Sequence, residues 1–267
     1  MLMTLYRSVL RLPHFRGRTR LENLLRRALR PPLFPVAGLR FQLDPLEWLQ
    51  IEMLSGIPSE PATMALFDRL LKPGDTVIDV GCHVGFHALY AARRVGPAGL
   101  VIAVDPQPYN CERVMTNAEA NKLAKVMVIC AAAGSKPGFA LLRQQSATDK
   151  ARLTLAGVGV NDTGLTFEVP VVTLDEVVGR RGLERVELLK IDVEGYEAEV
   201  LAGAHQTLAR TNNIVLEILP DHEVGQTASI LDVLKSAGFS FRAVSGSTWK
   251  LGERLAENNL WASRAAN

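Results

Sequence analysis

From Thr76 onward the chain alternates short apolar runs with segments whose apolar positions recur at helical spacing. The runs suited to buried strands fall at 76–80, 100–105, 126–131, 167–172, 186–191, 213–218, 239–244 and 259–263. Strands covered on both faces read as continuous apolar stretches. Val77-Ile78, Val101-Ile102-Ala103-Val104 and Ile214-Val215-Leu216 have that character. The alternation predicts stacked βαβ units, an α/β fold with a mostly parallel sheet flanked by helices.

Before this core, residues 2–30 alternate apolar and Arg positions at roughly helical spacing until Pro31, Pro32 and Pro35 end any helix. Segment 60–71 predicts a further helix with Pro61 in its first turn, followed by the turn Lys72-Pro73-Gly74-Asp75. Between 134 and 166 the rhythm fails: Gly134, Gly138, Gly157, Gly159 and Gly164 interleave with polar residues. A hairpin or mobile insertion lying over a site is expected there. The organisation predicted is a basic N-terminal helical cap or extension over 1–60 and one Rossmann-like domain over 61–267, with the insertion at about 134–166.

Composition narrows the class. With 267 residues, 48% hydrophobic and 22% charged, the chain can bury one substantial core, and disorder is excluded. Cys82, Cys111 and Cys130 are odd in number and lack metal-like spacing, which points to a reducing, cytoplasmic setting with neither a disulfide framework nor a zinc site. Arg or Lys interrupts every apolar stretch before it reaches the roughly 18–20 residues of a membrane span. The formal charge of +2 conceals an asymmetry, because residues 1–40 carry nine Arg against the single acid Glu22. Contact with an acidic substrate or nucleic acid, peripheral contact with anionic lipid, an organelle transit segment, or a solvated helix face fits that segment. Nucleic acid is disfavoured as a partner, since no aromatic residues interleave with the basic ones as in a stacking platform.

The candidate chemistry begins at Val77-Ile78-Asp79-Val80-Gly81-Cys82-His83-Val84-Gly85, a strand running into a glycine turn and then a helix. Such a turn brings backbone close to a ligand at the carboxyl end of the first strand. Dinucleotide sites use Gly-x-Gly-x-x-Gly, whose second glycine admits pyrophosphate. His83 occupies that place, which favours a nucleoside ligand without phosphates, such as S-adenosylmethionine. Asp79 is placed to hold the ligand's ammonium group through water or backbone. Asp105 ends the next apolar strand about 24 positions after Gly81, where an acid accepts ribose hydroxyls or caps a helix. A third strand ends in Lys190-Ile191-Asp192-Val193-Glu194-Gly195-Tyr196-Glu197. Its acids either face the same crevice or serve the following helix, with Glu197 and Glu199 expected in solvent. The adenine pocket is expected near Pro106, Gln107, Ala131 and Ala132.

These motifs, with Val-Asp-Pro-Gln-Pro-Tyr-Asn at 104–110, Val-Thr-Leu-Asp-Glu-Val-Val at 172–178 and Val-Leu-Ala-Gly-Ala at 200–204, resemble the FkbM family of S-adenosylmethionine-dependent methyltransferases over roughly residues 74–245. The resemblance implies a class I methyltransferase fold with a seven-stranded sheet and, commonly, O-methylation in natural-product or glycan pathways. His83 stands where the family often has Asn, and Asp105 where it often has Glu.

The expected cofactor is S-adenosylmethionine, bound by Asp79, Gly81, His83, Gly85, Asp105, Pro106, Ala131 and Asp192. The expected acceptor is a hydroxyl of a small molecule, natural product or sugar. A neutral hydroxyl must lose a proton, and Asp192, Glu194 and His83 are the candidates to assist, with His87 and His222 as further histidines near the site. No metal is expected; a variant with Asp192, Glu217 and Asp221 around Mg²⁺ is the minority reading. Cys130, ending a buried strand, is expected to pack as a small hydrophobe. An NAD-dependent oxidoreductase is the rival enzyme and a non-catalytic cofactor-binding module the rival outside enzymology. Homodimerisation through the N-terminal cap is a further expectation.

Overall fold

The computed structural model describes residues 17–28, 33–44, 60–144, 153–155, 166–218, 224–255 and 257–264, together with residues 5, 6, 8, 9, 47, 50, 53 and 54. Its centre is a seven-stranded sheet of β3 (Thr76–Val80), β4 (Leu100–Asp105), β5 (Val126–Cys130), β10 (Val186–Ile191), β11 (Thr211–Glu217), β12 (Phe239–Ala243) and β13 (Asn259–Arg264). The spatial order is β12-β13-β11-β10-β3-β4-β5. β13 runs antiparallel to both neighbours and every other pairing is parallel. The central strands are apolar on both sides because both faces are covered: β10 is buried at all six positions.

Helices α2 (Pro61–Leu70), α3 (Phe86–Val95) and α4 (Pro108–Ala120) are the ones that bear on the site. Pro61 and Pro108 stand in the first turns of α2 and α4, where a missing N–H costs no hydrogen bond. On the opposite face lie α5 (Leu174–Gly179), α6 (Glu197–Ala202), α7 (His205–Arg210) and α8 (Val224–Ser236). There Val177, Val200, Leu208 and Leu234 share a core with Ile78, Leu189 and Ile214. α5 opens on a capping box in which Thr173 Oγ1 accepts from the Glu176 amide at 3.1 Å.

Of the basic segment, α1 (Arg18–Ala28) is helical, as its spacing predicts. Beyond it comes a hairpin that the helical pattern does not announce, β1 (Phe34–Val36) with β2 (Leu39–Phe41). Two amides of this segment bond side chains of α4, Arg40 N to Asn121 Oδ1 at 2.8 Å and Gln42 N to Asn117 Oδ1 at 2.6 Å. Phe34, Val36, Leu39 and Phe41 join the apolar cluster built on Leu89, Val95 and Val101.

Two sequence expectations fail in the sheets. The run 167–172 is not a strand of the central sheet. It forms β9 (Thr166–Val172) in a second sheet of order β6-β9-β7-β8, with β6 (Ala132–Ala133), β7 (Gly138–Gln144) and β8 (Leu153–Leu155). Its polar and apolar positions alternate, and Val169 packs in a small cluster with Leu142 and Ala132, as in a sheet with one wet face. β7 pairs antiparallel with both β8 and β9, so the expected hairpin is present; the rest of 145–165 lies outside the described residues. Cys130, expected to be packed, is exposed. β5 is the edge strand of the sheet, and only part of its side-chain surface meets the core.

Candidate active site

Gly81 leaves β3 with φ 79°, a conformation open mainly to glycine. A Cβ at this position would stand 1.7 Å from the carbonyl oxygen of Asp192, so the turn lies directly against the end of β10. His83 follows with φ 50° and Gly85 with φ 90°. The His83 amide donates to Asp105 Oδ2 at 2.9 Å, which ties the turn to the end of β4. Asp105 Oδ1 accepts from the Gln107 amide at 2.9 Å and from Asn110 Nδ2 at 3.0 Å. A carboxylate has about four acceptor directions, so one direction on Oδ2 stays open. Pro106 continues from this strand end, and the amide of buried Ala131 donates to the Asp105 carbonyl at 3.1 Å. The structure therefore brings Gly81, His83, Gly85, Asp105, Pro106 and Ala131 to one carboxyl edge.

A second group gathers on the sheet face that carries α2 and α3. In register, Asp79 stands beside Lys190, Lys190 beside Val215, Val215 beside Trp261, and Glu217 beside Asn259. Because side chains alternate along a strand, Asp79, Lys190, Asp192, Glu217 and Asn259 all share this face. Lys190 is 2% exposed, and its Nζ donates to Asp192 Oδ2 at 2.6 Å. From α3, His87 Nε2 lies 3.3 Å from Glu60 Oε2.

Burial and crowding sort the protons of this cluster. Burial is the largest influence on Lys190 and opposes its charge, yet Asp192, Glu60 and Asp79 together hold it above the usual lysine range. Burial also opposes the charge of Asp192; Lys190 outweighs it and draws the carboxyl below its usual range. Glu217 is pushed up to about 10 by burial and the neighbouring Asp192. It is therefore neutral near pH 7 and shares its proton with Asp192. Burial raises Asp79 to about 6 and Glu60 to about 7, and lowers His87 to about 3, so His87 is a neutral imidazole.

Several expected residues sit differently. The side chain of His83 turns to the N-terminal segment, with Nε2 3.5 Å from Oε2 of buried Glu47, which also bonds Gln50. Its place in the turn is accounted for by the left-handed backbone, which His tolerates better than most residues. Glu194 is exposed with φ 54° in the loop before α6, and its charge reaches the cluster, adding to the upward push on Glu217. Glu197, expected in solvent, is fully buried: its Oε1 accepts from the amides of Gly195 at 3.1 Å and Val193 at 3.4 Å. The tight loop 192–196 turns its amides inward, and a first-turn carboxylate is the acceptor in reach. Glu199 is exposed and accepts from Ser135 Oγ at 2.6 Å. Asp221 and His222 lie outside the described residues. Glu60 and Lys190 are the site residues that sequence reasoning missed. A lysine inside the buried run Val-Glu-Leu-Leu-Lys-Ile is a signal that was available; Glu60 offers no comparable local sign.

The model of the methyltransferase FkbM domain matches residues 79–241 of this chain. The chain belongs to the FkbM methyltransferase family. It is 30% identical over 197 residues to 31-O-demethyl-FK506 methyltransferase FkbM of Streptomyces tacrolimicus, covering 64% of this chain and 74% of that one. It is 23% identical to hexuronic acid methyltransferase AglP of Haloferax volcanii, covering 72% and 76%. A solved structure of a candidate rRNA-methylase from Clostridium thermocellum shares the fold at a TM-score of 0.50 and 13% identity, covering 79% of this chain and 98% of that one. This FkbM-family chain is an S-adenosylmethionine-dependent methyltransferase of class I fold, and the dinucleotide oxidoreductase reading is not favoured.

The residues present fit that cofactor. Asp79 is 2% exposed, and neither of its carboxylate oxygens has a hydrogen-bond partner of good geometry among the described residues. The Ala88 amide acts on it and favours the charged form. A buried acid in that condition is an unmet acceptor at the turn where the ammonium of the cofactor's methionyl tail would lie. The open direction on Asp105 suits a ribose hydroxyl. No helix among the described residues is long and apolar enough to cross a membrane.

Proposed function

We propose that this methyltransferase acts on a hydroxyl oxygen of a small molecule or sugar. The observation that carries the reading is the acid cluster around Lys190, which stands at the carboxyl edge immediately beside the glycine turn. Two relatives support it by name, one specifying a 31-O-demethyl substrate and the other a hexuronic acid.

Bound S-adenosylmethionine supplies an activated methyl group on a sulfonium sulfur. Asp79, Gly81, Gly85, Asp105, Pro106, Ala131 and the main chain at His83 and Asp192 form its site. Asp105 would accept one ribose hydroxyl on Oδ2 and no second, because the other directions of its carboxylate are filled by His83, Gln107 and Asn110. Asp192 acts on the acceptor side. Lys190 keeps it ionised and fixed, so it orients a hydroxyl by accepting its hydrogen bond. The same depressed proton affinity makes Asp192 a weak base. Asp192, Asp79 and Glu60 around one lysine also give the crevice a negative field, which suits a cationic sulfonium.

The test combines binding with product chemistry. Isothermal titration with S-adenosylmethionine and, separately, NAD should show binding of the first alone, with the affinity falling about tenfold in Asp105→Asn. Incubation with sugar and polyketide alcohols should place the methyl on oxygen, as read by NMR. Transfer only to nitrogen or carbon acceptors would sink the proposal.

A further inference from the structure

We infer that Glu60 is the catalytic group that takes the acceptor hydroxyl's proton, an assignment that rests on the hydroxyl-methylation reading above. Glu60 immediately precedes α2, at the position whose side chain ordinarily accepts the orphan amides of a first turn. It makes no such bond. Glu257 does so instead from far along the chain: its Oε1 accepts from the Ala62 amide at 2.7 Å and its Oε2 from the Thr63 amide and hydroxyl, both at 2.9 Å. A second carboxylate thus performs the capping and leaves that of Glu60 for another use.

That use is visible in its placement. The backbone of Glu60 is left-handed, with φ 55° and ψ 55°, a conformation that costs a residue with a side chain about 1–2 kcal/mol. The side chain turns into the cluster, where Oε2 accepts from Asn259 Nδ2 at 2.6 Å and approaches His87 Nε2 at 3.3 Å. Asn259 also bonds Thr63 Oγ1 at 3.2 Å, so the residue that holds Glu60 is itself fixed to α2. His87 packs between the rings of Phe67 and Phe86 and has little freedom to move away. Strained backbone, relinquished cap and two fixed neighbours all converge on one carboxylate.

The other acids of the cluster are less suited. Asp79 is 2% exposed, Glu217 already carries a proton that it shares with Asp192, and Asp192 is held ionised by Lys190. The Glu60 side chain is 26% exposed and can meet a substrate. The charged groups that act on it are Lys190 of β10, Asp192 just after that strand and Glu257 from before β13, with neutral His87 of α3 in contact. Burial is the largest influence and raises its proton affinity to about 7, close to where a base works best at neutral pH. As the acceptor oxygen bonds the methyl carbon, the methyl–sulfur bond breaks with its electron pair left on sulfur, and Glu60 takes the O–H proton. The carboxylate becomes neutral as the sulfonium charge disappears, so total charge is conserved.

The experiment is methylation of methyl β-D-glucuronoside, backed by other sugar and polyketide alcohols, from pH 5.5 to 9 by wild type, Glu60→Gln and Glu60→Asp. S-adenosylmethionine affinity is measured by calorimetry and folding by circular dichroism. Wild-type kcat should rise through an apparent pKa near 7. In Glu60→Gln it should fall about 10²–10⁴-fold and lose that limb, while cofactor affinity stays within about threefold; Glu60→Asp should recover part of the rate. A Glu60→Gln enzyme that keeps the rate or the limb overturns the assignment. So does a variant whose cofactor affinity falls in step with kcat, because Glu60 would then be a cofactor ligand. If Glu60→Gln does not fold, Glu60→Asp decides, and an unchanged rate and limb overturn the proposal. Wild type that binds S-adenosylmethionine but yields no O-methyl product from any of these alcohols overturns the hydroxyl reading itself, and this assignment with it.

Discussion

Nζ of Lys190 donates to Oδ2 of Asp192 across 2.6 Å from within a strand that is otherwise apolar except at Glu187. A buried charge is tolerated only with partners, and removing one member of a buried pair leaves the other uncompensated. Lys190→Met therefore leaves Asp192, Asp79 and Glu60 crowded without their cation. Urea unfolding should show a loss of about 3–5 kcal/mol, larger at pH 8, where more of these acids ionise, than at pH 5. An unchanged midpoint at both pH values would contradict this view of the cluster.

Asp79 links the site to stability. Burial raises its carboxyl from 3.8 to about 6, so the folded state holds this proton more tightly than the unfolded chain does. The contribution is fully present below the unfolded value and lost as pH rises through about 6. Glu60, raised to about 7, works in the same direction over a slightly higher window. Asp79→Asn in the cofactor-free protein should flatten the dependence of Tm on pH between 4 and 8. It should stabilise the protein at pH 8 by as much as about 3 kcal/mol. A mutant curve parallel to wild type would refute the assignment.

The two turn glycines should respond differently to alanine. At Gly81 a methyl meets the Asp192 carbonyl oxygen at 1.7 Å, and that oxygen belongs to the backbone. Unfolding should become easier by more than about 3 kcal/mol, with loss of cofactor binding. At Gly85 the nearest atoms are Val114 methyls at 3.1 and 3.3 Å, so Gly85→Ala should cost about 1–2 kcal/mol, mostly from its positive φ. Equal Tm shifts in the two variants would show that turn strain dominates and that contact with β10 does not.

Glu257→Ala removes the remote cap of α2. Loss of a capping side chain costs about 0.5–2 kcal/mol, and this carboxylate serves two amides and a hydroxyl, so the upper part of that range is expected. Amide exchange should quicken at Ala62 and Thr63, while Gly81 keeps the protection given by its bond to the Val104 carbonyl at 2.8 Å.

Local pattern carried much of this architecture. The apolar runs of β3, β4, β10 and β11 are continuous because both faces of the central sheet are covered, and such runs are visible in one dimension. The run of β9 misled because a half-buried strand carries a similar number of apolar residues, and only the pairing partners distinguish the two sheets. Cys130 misled for the same reason: its neighbours are apolar, but β5 is an edge.

By itself the sequence determined the parallel α/β core, the glycine turn at 81–85, the acid at the end of β4 and the family motifs at 190–197. Each is a matter of spacing along a few dozen residues. Only the tertiary structure decided that Lys190 lies beside Asp79, that Glu197 is buried, and that Glu257 caps a helix starting 196 positions earlier so that Glu60 faces His87. Strand register and helix docking set those meetings. The proton affinities of the site follow from them, because burial and charge proximity depend on position in space and leave no trace in the order of residues.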